Sequence, residues 1–559
     1  MGGSTEGSTP VPQIFDAVIV GAGFAGLYML YRMRKSGRTA IVIERGTDVG
    51  GTWYWNRYPG ARCDVESYQY SYSFSPELDQ QWTWSERFAP QPEIQAYAAH
   101  VADRFDLRKD IRFERTVVSA DFSEKDETWL VRTREGDLFR GRYCIMATGN
   151  LSDVKLPEIP GIESFAGDYY HTGAWPQRAI DFAGRRVGVI GTGSSGIQCI
   201  PEIAREARHL TVFQRTPNYS VPACNRVLNE AEIARIKADY PRVRKLIHRT
   251  RTGTILPRSR GPIADFSKEE IENELAARWN GEKGGGSSFL AAFDDLLTSL
   301  EANVPAAEFA RARIREIVMD PQVAADLTPR GYPLGAKRLV CDTNYFETFN
   351  RPNVTLVNLR RTPITRVMPG GVETAQEFYP LDALVFATGY DAGTGALNRI
   401  DVTGPDGATL RNKWSAGPRC HLGLMVAGFP NLFLITGPGS PSVLSNVLPS
   451  IEFHVEWIER CLASLNGRTI EATAEAESAW VDHVRECVER TIMTQADNWY
   501  LGANVPGKPR VFFAYAGGLP NYESKCTEVA AKGYTGFTIR PRPNGNPQPA
   551  RALEQVTGK

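Results

Sequence analysis

The sequence has no paired-cysteine motif. Its nine cysteines, Cys63, Cys144, Cys199, Cys224, Cys341, Cys420, Cys461, Cys487 and Cys526, stand far apart with no C-x-x-C among them. That pattern argues against a disulfide framework, a zinc site and a dithiol redox centre, and no metal is expected. No run approaches the roughly 18 apolar residues that would span a bilayer. The opening MGGSTEGSTPVPQ has no basic stretch followed by an apolar one, so no signal peptide is expected. Net charge is absent too, with 64 basic and 64 acidic side chains. A nucleic-acid surface needs a basic excess to displace counterions, so nucleic acid is not an expected partner. These absences predict a cytoplasmic protein with no membrane association and no obligate protein partner.

What is abundant is glycine, 51 of 559 residues. That is about 9% against a typical 7%, and extra glycine marks backbone that runs close to something. The length predicts two to four domains at about 150 residues each. Two stretches share one pattern. In FDAVIVGAGFAGLYMLYRMRKSGRTAIVIERG, residues 17–20 read as a buried parallel strand, 21–26 as a turn, 27–35 as helix and 40–43 as a second strand. In RRVGVIGTGSSGIQCIPEIAREARHLTVFQRTP the same order recurs over 187–190, 191–196, 197–207 and 210–213. Each is a βαβ unit, so the fold class is α/β with two Rossmann-like domains. Two further strands run into Ala-Thr-Gly, in YCIMATGN and ALVFATGYD. They suggest two crossings between interleaved domains. Residues 226–330 read as a helical insertion. Asn229 with Glu232 and Ser267 with Glu270 have capping-box spacing, and the GEKGGGSS stretch (281–288) reads as a flexible loop.

The two turns end differently. Gly21, Gly23 and Gly26 form G-x-G-x-x-G: the first glycine for a tight turn, the second for approach of pyrophosphate, the third for packing of helix on strand. Glu44, 18 residues after Gly26, stands where a carboxylate binds ribose hydroxyls, which suits FAD or NAD. Gly191, Gly193 and Gly196, with Ser194 opening the helix, repeat the turn, but the matching position holds Arg215. A guanidinium there can bind a 2′-phosphate, and Thr216 can add a hydroxyl, so the second site favours NADPH. One free-ribose dinucleotide plus NADPH suggests a flavoprotein fed by NADPH. A disulfide reductase would need paired redox cysteines, which leaves a mono-oxygenase.

The segment FAGDYYHTGAWP then narrows the reading. Phe165, Gly167, His171, Trp175 and Pro176 fit F-x-G-x-x-x-H-x-x-x-W-P just before the second βαβ unit. Here the chain resembles the type I Baeyer–Villiger monooxygenases, which use FAD, NADPH and O2 to insert oxygen beside a ketone. The resemblance runs from residue 15 to about 540. It is closest to the phenylacetone and steroid monooxygenase branch, on GGTWYWNRYPGARCDVES, GTGSSGIQ, FQRTP and GANVPGKP.

The resemblance implies oxidation of bulky, aromatic or cyclic ketones to esters or lactones through a flavin 4a-peroxide. It implies Arg338 as the cation facing that peroxide, Asp64 as the partner that fixes Arg338, and Lys337 on the NADPH 2′-phosphate. Thr52 and Trp53 fall in the flavin-flanking stretch, where an aromatic serves equally well as core. Trp499 resembles a tryptophan that holds NADP. Ser442, Val443 and Leu444 become candidate substrate contacts. Phe165, Gly167, His171 and Trp175 become conformational, with His171 at the domain linker. The implied division is a flexible leader (1–13), an FAD domain (14–150 and, with a C-terminal tail that reads as loop-rich from Trp499, 386–559), an NADP domain (151–225 and 331–385) and the helical insertion (226–330). Two rivals stay open: an N- or S-oxidising flavin monooxygenase, and a non-catalytic nucleotide sensor.

Overall fold

The computed structural model describes residues 13–541, so the leader expected over 1–13 lies outside the described residues except for Gln13. Two mainly parallel sheets organise the chain. The first runs Asp401–Thr403, Val117–Ser123, Thr128–Thr133, Leu138–Met146, Ile14–Val20, Ala40–Ile43, Ile111–Arg112, and Leu432–Leu434 pairs with Leu138–Met146. The second runs Val354–Asn358, His209–Gln214, Arg186–Ile190, Ala383–Phe386, Asp168–His171, all parallel. Strands from both ends of the sequence therefore complete the first sheet, and the second lies between them in chain order.

The strands are buried because parallel sheets are covered on both faces. Ala40–Ile43 is buried at every position. On one face of the first sheet the helices Phe24–Lys35 and Val447–Leu465 pack together, burying Tyr28, Met29, Leu30, Trp457 and Ile458. Leu138–Met146 shows how the crossing works. Its early residues pair antiparallel with Thr128–Thr133, and its last three pair in parallel with Leu432–Leu434.

The helical block contains Glu230–Ile247, Lys268–Trp279, Leu300–Ile317 and Pro321–Leu327. Both expected capping boxes form, at Asn229 with Glu232 and at Ser267 with Glu270. Two expectations need correction. The 281–288 stretch is a turn leading into a 3-10 helix, Gly286–Ala291, with Ser288 and Phe289 buried. Its glycines permit close packing: a Cβ on Gly281 would stand 2.8 Å from that of Cys224. The region after Trp499 is also more regular than its loop-rich reading. It holds the helix Leu519–Ala531 and the strand Phe537–Arg540, antiparallel to Thr469–Ala472. Leu519, Tyr522 and Cys526 supply that helix's buried stripe.

The glycine turns and the Ala-Thr-Gly junctions turn out to be partners. Gly21 has φ +105°, and a Cβ there would stand 2.6 Å from the Ala147 carbonyl; Gly191 has φ +109° and would meet the Ala387 carbonyl at 2.5 Å. A Cβ on Gly26 would lie 1.8 Å from the Gly21 carbonyl, and one on Gly196 2.3 Å from that of Gly191. Backbone cannot give way there without parting helix from strand. Gly26→Ala should therefore cost on the order of 3 kcal/mol and yield protein largely stripped of flavin. A visible absorption spectrum with wild-type flavin content would contradict this.

Candidate active site

Both turns open onto one cavity between the sheets, of about 1790 Å³. That exceeds the roughly 300–1,000 Å³ of a site for one small ligand and has room for more than one. Gly21, Gly23, Glu44, Thr52 and Trp53 line it from one side, and Gly191, Gly193, Ser194, Arg215 and Thr216 from the other. The residues fit dinucleotides. The helices Phe24–Lys35 and Ser194–Glu206 begin at Gly23 and Gly193 with no side-chain cap, so their first N–H groups are free for phosphate. A Cβ on Gly193 would meet no protein atom within 4 Å, so that face of the turn is open to a ligand. Gly26 and Gly196 do not line the cavity; they pack helix against strand. The Glu44 carboxylate accepts from the Ala22 and Gly46 N–H groups, both at 2.7 Å, and burial raises its pKa. It is thereby fixed at the end of Ala40–Ile43, facing the turn.

Arg215, Lys337 and Arg360 form a cationic corner. None is in an ion pair among the described residues. Lys337 Nζ lies 4.6 Å from the centre of the Tyr332 ring, and Arg360 Nη2 donates to Thr216 Oγ1 at 3.4 Å. Burial, then the charges of Arg215 and Arg360, hold the Lys337 pKa below its ordinary value. Such a corner is unfavourable until an anion enters. Arg360 escaped the sequence reading. The strands His209–Gln214 and Val354–Asn358 pair in parallel with Gln214 opposite Asn358, so Arg215 and Arg360 leave adjacent strand ends together. That register is not visible in one sequence.

Asp64 and Arg338, 274 residues apart, meet in the same cavity. Arg338 Nη2 donates to the two Asp64 carboxylate oxygens at 2.7 and 2.8 Å, and Nε donates to Oδ2 at 3.2 Å. Nη1 reaches the Val443 carbonyl at 3.4 Å. Asp64 raises the Arg338 pKa further, so the guanidinium is permanently charged. About a third of its side chain, 33%, stays open to the cavity. Tyr500, buried beside it, also missed from sequence, keeps a raised phenol pKa through burial.

The remaining candidates divide between the cavity and the core. Trp499 lines the cavity and its ring lies tilted against that of Tyr500, ring centres 4.2 Å apart. Trp53 lines it too and donates from Nε1 to the Tyr70 hydroxyl at 3.1 Å, so it serves both core and wall. Of Ser442, Val443 and Leu444, only Val443 reaches the cavity. Ser442 is fully buried and accepts from Asn150 Nδ2 at 2.8 Å, while Leu444 packs with Phe512 and Phe513, so their expected substrate contacts are corrected.

Phe165, Gly167, His171 and Trp175 do not line the cavity. His171 sits near the Val154–Tyr390 bridge between the two connections, while Phe165 and Gly167 lie at the other end of the strand Ala383–Phe386 and Trp175 packs against Tyr170 and Phe182. His171 Nδ1 accepts from the Gly173 N–H at 3.0 Å, and its Nε2 faces the Thr388 hydroxyl at 3.4 Å. Burial pushes the His171 pKa down to about 4, so the ring is neutral at pH 7. A Cβ on Gly167 would stand 2.4 Å from the Asp382 carbonyl. Trp175 N–H donates to the Trp55 carbonyl at 3.3 Å, tying the motif to the first sheet's segment.

The sequence profile described as pyridine nucleotide-disulphide oxidoreductase matches residues 18–249. It spans both turns, but all nine cysteines are free, so the match concerns the nucleotide scaffold. A Baeyer–Villiger monooxygenase of Pseudooceanicola batsensis is 41% identical over 96% of this chain and 98% of that protein. The chain belongs to the Baeyer–Villiger monooxygenase family. A phenazine N-monooxygenase of Lysobacter antibioticus is also 41% identical, over 95% and 98%. An oxidised steroid monooxygenase bound to NADP superposes with a TM-score of 0.90 at 48% identity, covering 95% and 100% of the two chains. An OTEMO complex with FAD and NADP gives 0.90 at 39%, covering 94% and 99%.

For this monooxygenase the cationic corner makes a discriminating prediction. Charge-assisted hydrogen bonds are worth about 1.5–3 kcal/mol. Arg360→Ala and Lys337→Ala should each raise the KM for NADPH by about 10–100-fold and leave that for NADH within about twofold. Equal effects on both nucleotides in steady-state assays would remove these residues from the 2′-phosphate site.

Proposed function

We propose that the enzyme oxidises bulky cyclic or aromatic ketones to esters or lactones with NADPH and O2, and that Arg338, held by Asp64, is its catalytic cation. The observation that carries this reading is the Asp64–Arg338 bridge opening onto a cavity that both nucleotide turns share. The glycine turn at 21–26 with Glu44 would hold FAD; the turn at 191–196 with Arg215, Thr216, Lys337 and Arg360 would hold NADPH. When bound, these cofactors supply hydride and activate dioxygen.

The chain's own residues supply the environment. Oxygen insertion beside a carbonyl creates negative charge on the oxygen donor and on the carbonyl oxygen. Arg338 offers those anions a cation that never deprotonates, already oriented, so no reorganisation accompanies the reaction. Asp64 takes up one edge of the guanidinium and leaves the rest facing the cavity. Trp499 and Val443 add apolar wall, which keeps water from competing for the anion. Lys337 and Arg338 are adjacent, so the grip on the nucleotide phosphate and the catalytic charge sit on one short segment.

A second reading is N-oxidation, favoured by the phenazine N-monooxygenase relative. A heteroatom attacks the oxygen donor without forming a carbonyl anion, so it needs Arg338 less.

Arg338→Ala separates the two. Loss of one preorganised partner for a developing anion costs about 3–4 kcal/mol, or roughly 10²–10³ in rate. Ester formation from a panel of cyclic and aryl ketones, read by gas chromatography, should fall by that factor while NADPH still bleaches the flavin anaerobically. Retained ester formation would sink the assignment, and N-oxide formation from an aromatic amine exceeding ketone turnover in the wild type would favour the second reading.

A further inference from the structure

We propose that Asn498 is a positioning residue that staples the Trp499 turn to the Lys337–Arg338 segment, so that nucleotide retention and placement of the catalytic cation depend on one amide. The inference rests on the nucleotide and cation roles proposed above. Asn498 is buried, at 5% exposure, and its side chain is fully engaged. Nδ2 donates to the carbonyls of Ala336 and Met493, both at 2.9 Å, and Oδ1 accepts from the Leu501 N–H at 3.0 Å. The last bond caps the 3-10 turn Trp499–Leu501. The first reaches the residue just before Lys337.

The consequence follows from what each segment carries. The turn presents Trp499 to the cavity and sets Tyr500 beside the Arg338 guanidinium. The 336–338 segment presents Lys337 and Arg338 to the same cavity. Tyr500 on the turn also meets the Arg338 guanidinium, so the Asn498 amide and this contact tie the two segments at neighbouring points. Aspartate at 498 would keep the shape but aim an acceptor at two buried carbonyls, and such unpaired or opposed groups are costly where water cannot reach them. The segments would then separate, and Trp499 and Lys337 could no longer close on the nucleotide together.

The test uses the flavin-loaded enzyme with NADP⁺ as probe. Asn498→Ser keeps a hydroxyl able to cap the turn but too short to reach Ala336; Asn498→Asp keeps the shape and loses the donors. NADP⁺ affinity is measured by ultrafiltration, and coupling by the ratio of hydrogen peroxide to ester formed per NADPH. Both variants should bind NADP⁺ about tenfold or more weakly and release a larger share of hydrogen peroxide, with melting temperatures and flavin content near wild type for the serine variant. Wild-type NADP⁺ affinity in folded Asn498→Ser, or an unchanged peroxide share in both variants, overturns the proposal. If the aspartate variant does not fold, the serine variant decides alone. A wild-type enzyme that makes no ester would instead refute the ketone reading, while the NADP⁺ binding arm would still report on Asn498.

Discussion

The ion pair between Asp64 and Arg338 is the constraint around which the site is arranged. Its partners come from different parts of the fold. Asp64 ends a segment wedged between the sheets: Gly51 lies against Gly23, Gly60 against the helix Ser194–Glu206 at Gln198, and the Tyr58 hydroxyl donates to Gln198 Oε1 at 2.8 Å. Arg338 leads into the short strand Val340–Asp342, which pairs with Ser220–Pro222. A surface pair of this kind is worth little, and a desolvated one can cost as much as it returns. The bridge is therefore better understood as a means of placement than of stability. It holds a cation in a fixed direction in the cavity onto which both glycine turns open.

Much of the fold could be read from sequence because its signals are local. Each βαβ unit carries its own glycines, buried strands and helix within about 30 residues, and both capping boxes are contained in four. The Asp64–Arg338 pairing came from resemblance and not from spacing, since nothing in one sequence measures a distance across 274 residues. What stayed hidden depends on register or on side-chain direction. Arg360 joins Arg215 only because Gln214 and Asn358 are opposite each other. Tyr500 and Asn498 act through a turn whose partner lies far back in the chain. Ser442 and Leu444 flank Val443 in sequence yet point into Asn150 and the Phe512–Phe513 cluster, because the loop's backbone, with Ser442 at φ +44°, turns between them.

The absence of net charge is resolved in the same terms. Balanced charges serve the surface, where most ion pairs lie. Among the cations that line the cavity, Arg215, Lys337 and Arg360 cluster without an ion-pair partner among the described residues, and Arg338 is held by Asp64. Each glycine turn packs against an Ala-Thr-Gly junction, and His171 sits beside the second of these junctions at Thr388.

The most direct test of the central claim is a double-mutant cycle of Asp64→Ala and Arg338→Ala, with the rate of ester formation at saturating NADPH and ketone as the readout. If Asp64 acts by holding Arg338, the double variant should be no slower than Arg338→Ala alone, within about 0.5 kcal/mol. Losses that add in the logarithm of the rate would show that the two residues act independently and would contradict the account.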